Sequence, residues 1–149
     1  MRVLNKYKKT DPNYSGGFKD QLAHGFGRLD FGDYGYYEGY FIEGKISGRG
    51  YLKVNNNIFN GSFSYIQQNN EWFYKFNGEV IYSSGEYYIG EVKNGKRDGL
   101  GKLFFKNKMV EGYFFENEYC PGFFNKKIDF LCNLNLKTNN GKVFVPYSR

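Results

Sequence analysis

The sequence predicts an all-β fold, an elongated antiparallel meander of repeated β-hairpins. Three observations carry that prediction. Tyrosine, glycine and phenylalanine alternate with a period of two. The alternation returns at steps of 22 or 23 residues, the mark of a repeat array. No apolar period of 3.6 residues is sustained anywhere, so little helix is expected.

The plainest copy is residues 37–54, YEGYFIEGKISGRGYLKV. Tyr37, Gly39 and Phe41 alternate in its first half; Gly48, Gly50, Leu52 and Val54 alternate in its second; Glu43-Gly44-Lys45 makes the turn between them. Strand side chains alternate faces, so both sets fall on one face of a hairpin. Tyr14, Gly16, Phe18, Gly25, Gly27, Leu29 and Phe31 repeat the pattern upstream; Tyr88, Gly90, Val92, Gly99, Gly101, Leu103 and Phe105 repeat it downstream. Weaker copies start at Phe59 and Val110, and the step from Phe59 to Tyr88 is lengthened to 29.

Taken in order, residues 1–13 form a basic N-terminal arm containing Lys6, Lys8 and Lys9, with Val3, Leu4 and Tyr7 able to add a short edge strand. Asp11-Pro12-Asn13 is a turn signal that separates the arm from the first hairpin. The array spans 14–125, with repeats starting near 14, 37, 59, 88 and 110. In the third repeat, Phe63 to Gly78 spans fifteen residues where Phe41 to Gly48 spans seven. The excess of eight adds four per arm if the turn falls near Gln68-Asn69-Asn70, and an even number preserves the faces. One long hairpin should therefore project past its neighbours. The fourth repeat turns at Asn94-Gly95, a strong two-residue hairpin signal. The fifth is eroded, with Pro121 in place of a glycine, and proline cannot donate to a ladder. In the tail, 126–149, Ile128, Phe130, Cys132, Leu134 and Leu136 alternate, a turn follows at 139–141, and Val143 and Val145 come next. This predicts a capping hairpin, with a partner-binding tail as the alternative.

The motif Tyr-x-Gly-x-Phe, then Gly-Lys, then Gly-x-Gly-x-Leu resembles the MORN repeat. The resemblance is close at 37–54 and 88–105, and good at 14–31, where Gln21 replaces the turn glycine. It implies an elongated sheet with an aromatic-lined groove that in some members receives a partner helix or peptide. It also implies a place in cytoskeletal or ciliary assemblies or at membrane-associated scaffolds, and His24 holds a position where the family often has histidine.

Several function classes find no support. Cys120 and Cys132 are the only cysteines, no CxxC occurs and His24 is the only histidine, so a zinc site finds no support; no nucleophile elbow or paired acid accompanies His24, so neither does a catalytic triad. No phosphate loop or dinucleotide fingerprint occurs, and no cofactor is expected. No apolar run approaches the length of a membrane span, and the first residues lack the apolar core of a signal peptide, so an intracellular setting, cytoplasmic or cytoskeletal/axonemal, is expected.

The Tyr, Gly and Phe positions read as scaffold, with rings lying over neighbouring glycines. Partner contacts are expected where apolar residues have no scaffold role. These are Tyr65, Trp72, Phe73 and Tyr74 on the long hairpin, and Tyr40, Ile42, Tyr113 and Phe115 on the face opposite the rings. The chain then reads as a non-catalytic scaffold subunit that binds other proteins. One alternative is a peripheral adaptor for acidic phospholipids, using Lys6, Lys8, Lys9 and exposed aromatics in a chain of net charge +6. Another is the regulatory subunit of a separate enzyme. Nucleic-acid binding ranks last, because no dedicated motif accompanies the basic and aromatic residues.

Overall fold

The computed structural model describes residues 6–121 and the backbone of residues 145–146. Ten strands follow one another in an antiparallel meander: β1 (Tyr14–Lys19), β2 (Leu22–Asp30), β3 (Gly35–Ile42), β4 (Lys45–Val54), β5 (Asn57–Gln68), β6 (Glu71–Ile81), β7 (Tyr87–Lys93), β8 (Lys96–Phe105), β9 (Lys108–Phe115) and β10 (Glu118–Cys120). An eleventh, β11 (Val145–Pro146), pairs with β9 at Met109 and Lys108. Among the described residues there is no α-helix; one 3-10 turn, Gly32–Tyr34, links the first two repeats. Most of the predicted capping hairpin lies outside the described residues.

The tight connections are two-residue turns with positive φ at both positions. They include Asp20-Gln21, Glu43-Gly44, Asn55-Asn56, Asn69-Asn70 and Asn94-Gly95. Such turns match the right-handed twist of paired strands, which is why short polar pairs suffice at each corner.

One face of the sheet carries the core. Tyr14, Leu29, Tyr37, Phe41, Leu52, Tyr88 and Leu103 all lie buried there, with rings meeting edge-on: Tyr37 stands 5.3 Å from Phe41 and 5.6 Å from Phe63. The two glycines of each pair do different work. At the second, Gly27, Gly50 or Gly101, an added Cβ would lie 2.2–2.5 Å from the hydroxyl oxygen of Tyr14, Tyr37 or Tyr88. The ring needs that space. At the first, Gly25, Gly48 and Gly99 have φ of 82°, 92° and 105°, where the second strand inserts two extra residues. The bulge frees a carbonyl on the first strand, and the tyrosine hydroxyl takes it. Tyr37 donates to Tyr40 O at 2.9 Å, Tyr88 to Glu91 O at 2.7 Å, and Tyr14 to Gly17 O.

The third repeat departs for the same reason. The ladder between β5 and β6 runs without a register shift from Ile58↔Ile81 to Gln68↔Glu71. With no bulge there is no freed carbonyl, and the tyrosine position holds Phe59. With no left-handed corner, the first glycine position holds Phe76. Gly61 faces Gly78, so Gly78 is the second glycine of the pair, not the first. The insertion is therefore six residues rather than eight, counted from Phe63 to Phe76 against Phe41 to Gly48. The long hairpin turns at Asn69-Asn70, and its faces are kept in phase.

Successive hairpins also clasp each other at their turns. The Asn94 N–H donates to Tyr74 O at 2.9 Å, while Asn94 Oδ1 accepts from Tyr74 N at 3.1 Å; Asn117 makes the same pair of bonds with Arg97. In the second repeat the turn is Glu43-Gly44, which offers no amide side chain. There the N-terminal arm substitutes: Tyr7 O accepts from Ala23 N at 3.0 Å and Tyr7 N donates to Gly44 O at 2.6 Å. Tyr7 is thus buried between two turns instead of extending the sheet at an edge, as the sequence suggested; Val3 and Leu4 lie outside the described residues.

Burial pushes the Tyr37, Tyr74 and Tyr88 phenols well above their ordinary value of 10.0. In the unfolded chain these phenols ionise near pH 10; in the folded chain they stay protonated. Above pH 10 the unfolded state therefore binds fewer protons, and stability present below that pH is lost as pH rises toward the folded values. Each such phenol steepens the loss by about 1.4 kcal/mol per pH unit. Melts between pH 9 and 12, with phenolate absorbance followed alongside, should show stability level to about pH 10 and then falling, with the buried phenols ionising only on unfolding.

Candidate functional site: a groove beside the long hairpin

The β3–β4 hairpin stops at Glu43-Gly44, while β5 and β6 run on to Asn69-Asn70. The last neighbour pairs are Gly48↔Phe63 on one side and Lys75↔Lys93 on the other. Beyond them a two-stranded arm overhangs its neighbours, and a groove of about 430 Å³ opens between the arm and the β3–β4 turn.

One wall of the groove is the arm's Tyr65 and Trp72. Their rings stack at 4.8 Å with planes 15° apart. The other wall is Ile42, Lys45 and Ser47 from the second repeat, and Lys6 of the N-terminal arm joins them, with Glu43 at the rim. Lys45 Nζ stands 4.3 Å from the centroid of the Tyr65 ring. Ile42 and Trp72 are each 52% exposed. The groove is a mixed slot: Ile42, Tyr65 and Trp72 supply its apolar and aromatic surface, and Lys6, Glu43, Lys45 and Ser47 its polar surface.

What holds the wall rigid is Tyr74, opposite Tyr65 in the ladder. Its hydroxyl donates to Ile46 O at 2.7 Å, its backbone is clasped by Asn94, and its ring lies 5.0 Å from Tyr65. Tyr74 belongs to the core, not to the free surface. Phe73 is buried as well, under Lys93 Nζ at 4.4 Å.

The structure thus gathers Ile42, Tyr65 and Trp72 into one groove and adds Lys6. Tyr40 stands apart on the outer face, edge-on to Phe26 at 5.6 Å. Tyr113 and Phe115 are half-buried on β9 and do not line the groove. Lys8 bridges to Leu22 and donates its N–H to the Asp11 carboxylate; Lys9 Nζ rests 4.0 Å above Phe18. His24 accepts the Glu43 N–H at Nδ1, 3.2 Å, a structural bond at the second turn.

A second hollow, of about 410 Å³, is lined by Phe31, Tyr34, Val54, Asn57 and Phe59. Sequence reasoning did not single these out as a surface, because Phe31, Val54 and Phe59 sit at ordinary repeat positions. Among the described residues no group of three or more His, Cys, Asp or Glu is placed to hold a metal ion.

Compared with known families, the chain matches the model of the MORN repeat at residues 14–36, 37–58 and 88–110.

Proposed function

Since the chain carries MORN repeats, which generally serve protein or membrane binding, we propose that it is a non-catalytic interaction subunit of a larger protein assembly. The groove beside the long hairpin receives a segment of the partner, a helix or an extended peptide. The observation that carries this reading is the half-exposed Trp72, stacked on Tyr65 and facing Ile42 across a slot with a rigid wall. A two-stranded arm is marginal in water by itself, and Tyr74 anchors this one from below. The aromatic surface left above the anchor is of the kind that dominates interface energetics, where truncation costs about 2 kcal/mol or more. The resemblance to MORN proteins supports a cytoplasmic setting in a cytoskeletal or ciliary assembly.

Affinity capture from the native source with wild-type and Trp72→Ala baits tests this proposal. Wild type should retain a partner that Trp72→Ala loses by a factor of about 30, the equivalent of about 2 kcal/mol. Liposome flotation run alongside covers the membrane alternative. Salt-sensitive binding to anionic vesicles that depends on Lys6 and Lys8, with no difference between the two baits, would replace a protein partner with a lipid surface.

A further inference from the structure

The repeats meet one another in a constant register. Gly27 faces Gly39, Gly50 faces Gly61, Gly78 faces Gly90, and Gly101 faces Gly112. Two residues along, the first-glycine position of one repeat faces an apolar residue of the next: Gly25 faces Phe41, Gly48 faces Phe63, and Gly99 faces Phe114. In each of these cases the tyrosine of the earlier repeat comes down edge-on against that phenylalanine. The distances are 5.1 Å for Tyr14 and Phe41, 5.6 Å for Tyr37 and Phe63, and 5.2 Å for Tyr88 and Phe114. All three phenylalanines are buried, Phe41 to 1% exposure.

β1 presents the same Tyr14-x-Gly16-x-Phe18 set, and among the described residues no repeat lies on its outer side. Among the described residues it pairs with β2 alone, and Phe18 is 52% exposed. At the other end of the array, β10 and β11 both pair along β9. Free edges in soluble sheets are usually blunted by charge, proline or a covering segment. Charge on this edge is confined to its end: Lys19 closes β1 and Lys9 Nζ rests 4.0 Å from the centroid of the Phe18 ring, a flexible ammonium that a docking ring displaces, while Tyr14 through Gly17 carry neither charge nor proline.

We propose that the free edge of β1 docks a repeat hairpin of another chain, one that sets a Gly-x-Gly strand against Gly16 and Phe18 and lays an aromatic ring on Phe18. The junctions inside the array specify this occupant: a glycine opposite Gly16 for close backbone approach, a glycine opposite Phe18, and a tyrosine-bearing strand beyond. A second copy of this chain fits less well. Two β1 strands brought together antiparallel, Gly16 opposite Gly16, set Phe18 against the partner's Tyr14, whose ring is already committed over Gly27 of its own hairpin.

The probe is a backbone-cyclised peptide of residues 37–54, used once its circular dichroism shows a formed hairpin, which carries Tyr37, Gly48 and Gly50 in the required order. It should bind the full chain, and Phe18→Lys should weaken binding by about tenfold or more, as loss of a central aromatic contact does. Phe26→Lys on the outer face should leave binding unchanged, and the same peptide carrying Gly50→Val should not bind. Melting curves should show Phe18→Lys within a few degrees of wild type, since that side chain is half in solvent and gives up only the surface contact with Lys9. Absence of binding by the wild-type peptide, or binding indifferent to Phe18→Lys, overturns the proposal. So does a concentration-dependent dimer in sedimentation that Phe18→Lys dissolves, because the edge would then belong to a second copy.

Discussion

Gly50→Val should destabilise the chain by about 3 kcal/mol, an overpacking cost, and lower the melting temperature by about 10 °C. The site leaves no room. A Cβ at Gly50 would stand 2.3 Å from the Tyr37 hydroxyl oxygen and 2.4–2.6 Å from two ring carbons. Tyr37 cannot yield cheaply: it is fully buried, packs edge-on against Phe41 and Phe63, and donates to Tyr40 O. Expelling the ring would open the junction between the second and third repeats. A double-mutant cycle isolates the cause. In a Tyr37→Ala background, Gly50→Val should cost less by more than about 1.5 kcal/mol, because the clash is gone. Additive costs would mean that the valine acts through backbone strain, and the ring-over-glycine explanation would fail.

Tyr74→Ala should cost about 4 kcal/mol, in the range for deleting a buried aromatic ring. Three ties go with it: packing against Tyr65, the hydrogen bond to Ile46 O at 2.7 Å, and burial in the core where the long hairpin leaves its neighbours. Tyr74→Phe keeps the ring and leaves the buried Ile46 carbonyl without this donor, so about 1–2 kcal/mol is expected. Trp72→Ala, two residues away and half in solvent, should cost well under 1 kcal/mol. Denaturant melts of the three variants check this order, and a Trp72→Ala cost equal to that of Tyr74→Ala would make the arm internal packing throughout.

The hairpin array was legible in the sequence because its signals are local. Period-two alternation fixes which side chains share a face, and pairs such as Asn94-Gly95 fix the corners. The long hairpin was legible from an even insertion, and Trp72, Tyr65 and Ile42 stood out as apolar residues without a scaffold role. The two jobs of the glycine pair were not legible. Both glycines look alike in the motif, and only the register shift shows that Gly48 serves a left-handed corner while Gly50 makes room for a ring. The opposite fates of Trp72 and Tyr74 were equally hidden. They share a face of β6, and what separates them is that the Tyr74 hydroxyl reaches Ile46 O in the second repeat, which is a contact across repeats. The same holds for Tyr7, whose burial depends on the second turn having no asparagine to close its clasp.

The groove itself can be read directly, because Trp72 is the only tryptophan in the chain. Protein labelled with 5-fluorotryptophan reports on that one ring by fluorine NMR. On addition of the captured partner, the resonance should shift and lose its sensitivity to a soluble paramagnetic quencher, while the circular dichroism melt of the chain stays in place or rises. A resonance that stays fixed and fully quenchable with the partner bound would contradict docking in this groove.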